Sequence, residues 1–135
     1  MRGYSLNFRD SALYEAYKEI LEEGYSGCIY QKLINTPAPS FFASERLAIA
    51  YVRSCEQGHP MPKLSRQNRE KYEEIYRRYL KKKVRKPHLD IKDIVLCIIT
   101  SPAPRFYITQ AGAKQIITKI RYENRRRKQA QKRIL

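Results

Sequence analysis

The strongest constraint on this chain is a proline turn that it writes twice. Thr36-Pro37-Ala38-Pro39-Ser40-Phe41-Phe42 is answered by Ser101-Pro102-Ala103-Pro104-Arg105-Phe106-Tyr107. Proline fixes its own φ, lacks an N–H, and restricts the residue before it to extended geometry, so a helix arriving at Thr36 or Ser101 must stop there. The match extends beyond the turn. With residue 28 over residue 93, Ile29/Ile94, Ile34/Ile99, Phe41/Phe106 and Ala48/Ala113 align with the Pro-Ala-Pro triplets, seven identities in 28 ungapped positions. Ser44 and Thr109, both good N-caps, fall at the same place after each turn.

Apolar residues around the turns recur every three or four positions, and nowhere alternate over a strand's length. Leu13, Tyr14, Tyr17, Ile20 and Leu21 form a helical stripe, with Asp10 or Ser11 as its cap and Gly24 as its end. Leu47, Ala48, Tyr51, Val52 and Cys55 form another, opened by Ser44 and closed before Gly58. A linker with Gly58, Pro60 and Pro62 leads to a long helix from about Ser65, striped by Tyr72, Ile75, Tyr76, Tyr79, Leu80 and Val84 and stopped by Pro87. A last helix opens at Thr109 and carries Ala113, Ile116, Ile117 and Ile120. Two short segments, Cys28 to Asn35 and Asp90 to Thr100, precede the turns. The second is β-branched enough for a strand, but its register with the first predicts a helix.

The expected fold is therefore all-α: a tandem duplication of a helix, short helix, proline turn, helix unit, six helices in all. The expected boundaries are 1–58 for the first unit, 59–124 for the second and 125–135 for an arginine-rich tail or helix extension. Each aromatic pair after a turn, Phe41-Phe42 or Phe106-Tyr107, is placed to pack back and fix the entry angle of the next helix.

Charge divides the two sequence halves. Residues 1–58 carry 6 Lys/Arg and 7 Asp/Glu, net −1, whereas residues 59–135 carry 22 and 6, net +16. A total of +15 on a chain this short exceeds what solubility needs and predicts a polyanionic partner. The cations sit in runs. Arg77, Arg78, Lys81, Lys82, Lys83, Arg85 and Lys86 follow one another without an acid, and Lys114, Lys119, Arg121, Arg125, Arg126, Arg127, Lys128, Lys132 and Arg133 face only Glu123. With Arg105 in the second turn, these are the candidate phosphate contacts. Asp90 to Ile120 has the order of a helix-turn-helix, with Gln110, Lys114, Gln115 and Thr118 as groove-facing candidates, but about eight residues stand where three or four would serve.

Little points to catalysis. His59 and His88 lie in linkers beside prolines, no glycine-rich phosphate loop occurs, and Glu15, Glu19, Glu22 and Glu23 form a solvated face. No enzymatic activity, metal or cofactor is expected. Cys28, Cys55 and Cys97 are odd in number and widely spaced, which fits a reducing compartment. No apolar run approaches the roughly 20 residues of a membrane span, and Met1 to Ser5 lacks the apolar stretch of a secretory signal. A cytoplasmic protein, or one packaged into a virion, is the expectation.

Ser101-Pro-Ala-Pro-Arg-Phe-Tyr-Ile-Thr109 followed by a helix resembles a segment of small, uncharacterised basic proteins of Bacteroides-type bacteria and their phages. The resemblance covers about 30 residues per copy and implies an origin, not an activity. The first copy departs from it at Ser40 and Phe42, where Arg105 and Tyr107 stand in the second. The expected function is non-enzymatic binding of nucleic acid, DNA ahead of RNA, through the basic second half. The competing expectation is a phage or bacterial assembly protein that contacts packaged genome, an acidic protein partner or a second copy of itself.

Overall fold

The computed structural model describes residues 7–59 and 63–134. The readings that fall on Met1 to Ser5, Pro60 and Pro62 lie outside the described residues. Among the described residues six helices run in chain order: α1 (Phe8–Glu22), α2 (Ile29–Ile34), α3 (Glu45–Glu56), α4 (Arg66–Arg85), α5 (Ile91–Ile99) and α6 (Gln110–Ile134). Among the described residues there is no strand, and the β-branched segment after Asp90 is helical. Asp90 accepts a hydrogen bond from the Asp93 amide at 3.0 Å, a side-chain cap that opens a helix and has no role in a ladder.

Most ends are set locally. Ser44 accepts from the Leu47 amide, Ser65 from the Asn68 amide and Thr109 from the Gly112 amide. At the other ends, the Thr36 hydroxyl donates to the Lys32 carbonyl and the Ser101 hydroxyl to the Ile98 carbonyl, which satisfies acceptors that a terminating helix leaves open. The first helix corrects one reading. Its cap is Asn7, whose side chain accepts from the Asp10 amide at 2.8 Å, and Asp10 itself is buried in the first turn. Asn and Asp cap equally well, and Phe8, exposed at 73%, adds no core position to the stripe.

The chain forms two compact units, and they are not the sequential halves 1–58 and 59–124. One unit is continuous, Pro37–Tyr107; the other ends at Thr36 and resumes at Ile108. In the discontinuous unit α1, α2 and α6 pack on one another. Its core joins Leu13, Tyr17 and Ile20 of α1, Leu33 and Ile34 of α2, and Ala113, Ile117 and Ile120 of α6. In the continuous unit α3, α4 and α5 pack together, burying Ala48 and Val52 with Tyr72, Ile75 and Tyr79 and with Ile94, Val95, Ile98 and Ile99. Each sequence half thus keeps its first two helices together and sends its third helix to the other half's pair.

The proline turns mark where this exchange occurs. Both turns meet within the continuous unit, where Ala38 and Ala103 exchange two backbone hydrogen bonds at 3.0 and 2.9 Å, and the Phe41 amide donates to the Ile99 carbonyl at 3.2 Å. Phe41 stacks on Tyr107 with centroids 6.1 Å apart, and Phe42 stacks on Phe106 at 6.4 Å. Phe42 and Tyr107 both hold positive φ, 52° and 54°. For a bulky side chain that conformation costs on the order of 1–2 kcal/mol, which only surrounding packing sustains. The aromatic pairs therefore staple the two turns to each other within the continuous unit.

The exchange also redistributes charge. Residues 1–36 with 108–135 carry 13 Lys/Arg and 6 Asp/Glu, net +7, and residues 37–107 carry 15 and 7, net +8. A gradient of −1 to +16 along the sequence becomes two bodies of nearly equal positive charge. No helix of the described residues is long and apolar enough to cross a membrane.

Candidate nucleic-acid interface

The basic run of α4 divides between cations that brace the fold and cations that face water. Arg78 has three engagements: its Nε donates to Glu74 at 2.9 Å, an Nη donates to the Pro102 carbonyl at 2.9 Å, and its guanidinium lies 4.8 Å from the centroid of Phe41. It ties α4 to both proline turns. Arg77 pairs with the same carboxylate, and the two arginines hold the Glu74 carboxyl below its ordinary value, the Arg77 hydrogen bond being the larger cause. Lys83 donates to the Leu89 carbonyl at 2.7 Å beyond the helix end, and Lys82 reaches Cys97 Sγ at 3.4 Å. Lys81, Arg85 and Lys86 are exposed, with no carboxylate in ion-pair range among the described residues. Lys81 and Arg85, four apart, share one outward face.

Arg105, the residue that most distinguishes the second turn from the first, also points into the protein. It donates to Gln67 at 2.6 Å, lies 3.6 Å from Glu70, and stacks over Tyr107 at 5.2 Å. Its Nε is buried without a partner. Ser40 holds the matching place, and its hydroxyl accepts from the Phe42 amide. Of the candidate phosphate contacts, Arg78 and Arg105 are therefore already occupied within the continuous unit.

These assignments separate by mutation. Arg78→Ala removes a charge-assisted pair, a carbonyl partner and a ring contact from a side chain only partly open to water, and is expected to lower stability by about 1–2 kcal/mol. Lys81→Ala, on the same helix, should leave stability within about 0.5 kcal/mol and weaken binding to nucleic acid. Thermal unfolding and a binding titration on both variants check the pair; equal melting temperatures would place Arg78 with the exposed cations.

Helix α6 carries the long basic surface. After Ile120 no described side chain of α6 is fully buried, yet the helix continues to Ile134. Lys114, Arg121, Arg125, Lys128 and Lys132 are spaced seven, four, three and four apart, which puts all five on one face. Lys119, Arg126 and Arg133 repeat at seven on another. Arg126 is paired with Glu123 at 3.6 Å and lies 5.9 Å from the Tyr122 ring, while Arg127 is exposed. Among the described residues no carboxylate lies in ion-pair range of Arg121, Arg125, Arg127 or Lys128. The tail is thus a helix extension and not a loose arm. The order expected of a helix-turn-helix is divided between the units, α5 falling in one and α6 in the other. Gln110, a groove-facing candidate, instead lies near Cys28, its Oε1 3.7 Å from the thiol.

Two clefts include residues that the charge pattern passes over. A cleft of about 350 Å³ joins Tyr14 of α1 to Arg121, Asn124, Arg125, Arg127 and Lys128 of α6. A wider one, about 640 Å³, lies in the continuous unit and brings Arg46 and Arg53 of α3 beside Lys92 of α5, with Glu45 at its edge. The first sequence half, near neutral overall, thus contributes both a hydroxyl and two arginines to basic surfaces. Only the helix exchange puts them there. No group of His, Cys, Asp and Glu among the described residues is arranged to hold a metal ion.

Comparison with known proteins leaves these surfaces to be read on their own chemistry: no family model, no curated protein and no solved structure matches the chain.

Proposed function

We propose that this protein is a non-enzymatic nucleic-acid-binding protein that grips duplex DNA through its phosphates, with α6 as the principal contact. The observation that carries the reading is the part of α6 beyond Ile120, where cations accumulate on a helix that places no described apolar side chain in the core. Like charges three or four apart destabilise a helix by a few tenths of a kcal/mol per pair. Here Arg121/Arg125, Arg125/Lys128 and Lys128/Lys132 all have that spacing. A polyanion relieves the repulsion and releases its own counterions. From Lys114 to Lys132 the basic face runs roughly 27 Å, the length of about eight base pairs, which suits a regular array of phosphates. Lys81, Arg85 and Lys86 supply a second set on α4.

The test is a salt series with duplex and single-stranded probes. About five phosphate contacts predict a binding constant that falls with roughly the fourth to fifth power of salt concentration on duplex DNA. Binding that ignores salt, or none at low salt, overturns the proposal.

A second reading, an assembly protein with a protein partner, is favoured by apolar residues left in water on α4 and α5. Val84 is 82% exposed, and Leu80 and Leu96 are more than two-fifths exposed. A stoichiometric protein partner that survives nuclease treatment would support it.

A further inference from the structure

The small cleft between α1 and α6 has features that a generally basic surface lacks. Its cations converge on a polar pair, Tyr14 and Asn124, whose side chains meet with Asn124 Nδ2 donating to the Tyr14 hydroxyl oxygen at 3.3 Å. With its oxygen accepting, that hydroxyl keeps its own proton to donate, and it has no acceptor among the described residues. Arg121 is held from the other side, where an Nη lies 3.5 Å from the Tyr17 hydroxyl, leaving the rest of its guanidinium fork unspent. Arg125 and Lys128 stand about one and two turns further along the same face of α6. The Tyr14 ring is fixed by Tyr17, stacked 6.3 Å away, and by the Lys18 ammonium 5.0 Å from its centroid; Lys18 is itself paired with Glu15.

We infer that this cleft is a seat for a single phosphate group, with Tyr14 and Asn124 as neutral donors and Arg121, Arg125 and Lys128 as its charges. The inference rests on the nucleic-acid reading and sharpens it, because the phosphate in question is a diester of the bound strand. Neutral hydroxyl and amide donors fixed at short range add direction to the attraction that the cations supply. The seat gives α6 a fixed register on the strand, which the rest of its exposed face cannot. It also assigns a task to the outward face of α1, which otherwise presents acids to solvent.

The test uses the full-length chain with a short DNA duplex, and separately with inorganic phosphate against sodium chloride of equal ionic strength. Binding is followed through the Asn124 side-chain amide in proton–nitrogen correlation spectra. The duplex should move that amide saturably. Tyr14→Phe keeps the ring and its stacking, and melting should show it folded; it should weaken duplex binding roughly three- to tenfold, the range for one lost hydrogen bond, without changing the salt slope. Arg125→Gln should reduce both affinity and slope, the latter by about one. A Tyr14→Phe protein that binds duplex like the parent, or an Asn124 amide that stays still while duplex binds, overturns the seat and leaves the nucleic-acid reading standing. Inorganic phosphate that moves the amide where chloride does not, in a protein that ignores the duplex, supports the seat and overturns that reading. If neither probe moves it and the duplex does not bind, both fall.

Discussion

A fragment of residues 1–58 is expected to be largely unfolded by itself, although it contains three complete helices and one full copy of the repeated sequence. In the intact chain Leu13, Tyr17, Ile20 and Leu33 are buried in the unit completed by Ala113, Ile117 and Ile120 of α6. Ala48 and Val52 of α3 are buried in the unit built from α4 and α5. Cutting at 58 leaves α1 and α2 without their third helix and α3 without either neighbour. Each large apolar side chain returned to water forfeits about 1.5–3 kcal/mol, and four of them together match the whole margin by which small domains are stable. Isolated helices of this length are marginal in water. Circular dichroism should show little helix and no cooperative melt for 1–58, while residues 37–107, which hold a complete three-helix core, melt cooperatively. Mixing 1–58 with 59–135 should restore helix, because each piece supplies what the other lacks. Cooperative melting of monomeric 1–58 would sink this account.

That result would separate what local chemistry decides from what it does not. The caps at Ser44 and Thr109, the helix start near Ser65 and the stops before both prolines are legible because each depends on a few neighbouring residues. A hydrophobic stripe is legible too, but it says only that a face is buried. Ala48 and Ala113 are equally good partners for either helix pair as far as their type goes, so the choice between a sequential and an exchanged fold is invisible in the pattern. It lies in the turns. Their extended Pro-Ala-Pro backbones and crossed aromatic stacks come together only once the chain has folded.

Charge misleads for the same reason. A count along the chain makes the first half neutral and the second strongly basic, yet the folded units carry +7 and +8. Arg78 and Arg105 look like their neighbours in a basic run because a long side chain's partner is chosen by tertiary structure: Glu74, Pro102 and Phe41 for one, Gln67 and Glu70 for the other. Tyr14 and Asn124 carry no charge and are 110 residues apart. No local rule pairs them.

Removing residues 125–135 should abolish most of the affinity for nucleic acid while leaving the fold nearly unchanged. The deletion takes Arg125, Arg126, Arg127, Lys128, Lys132 and Arg133 and no carboxylate. It takes no buried side chain from the described residues, since the last one on α6 is Ile120. Stability should shift by no more than about 0.5 kcal/mol, and lost like-charge repulsion favours the shortened helix. If half of the six cations meet phosphates, the salt slope falls by about three and affinity near 0.1 M salt drops by roughly two to three orders of magnitude. Lys114, Arg121, Lys81 and Arg85 remain, so weak, salt-sensitive binding should persist. A truncated protein that keeps its affinity but loses its melting transition would assign the tail to the fold. One that keeps both would move the interface onto α4 and the Arg46, Arg53 and Lys92 cleft, the other basic surfaces that the helix exchange assembles.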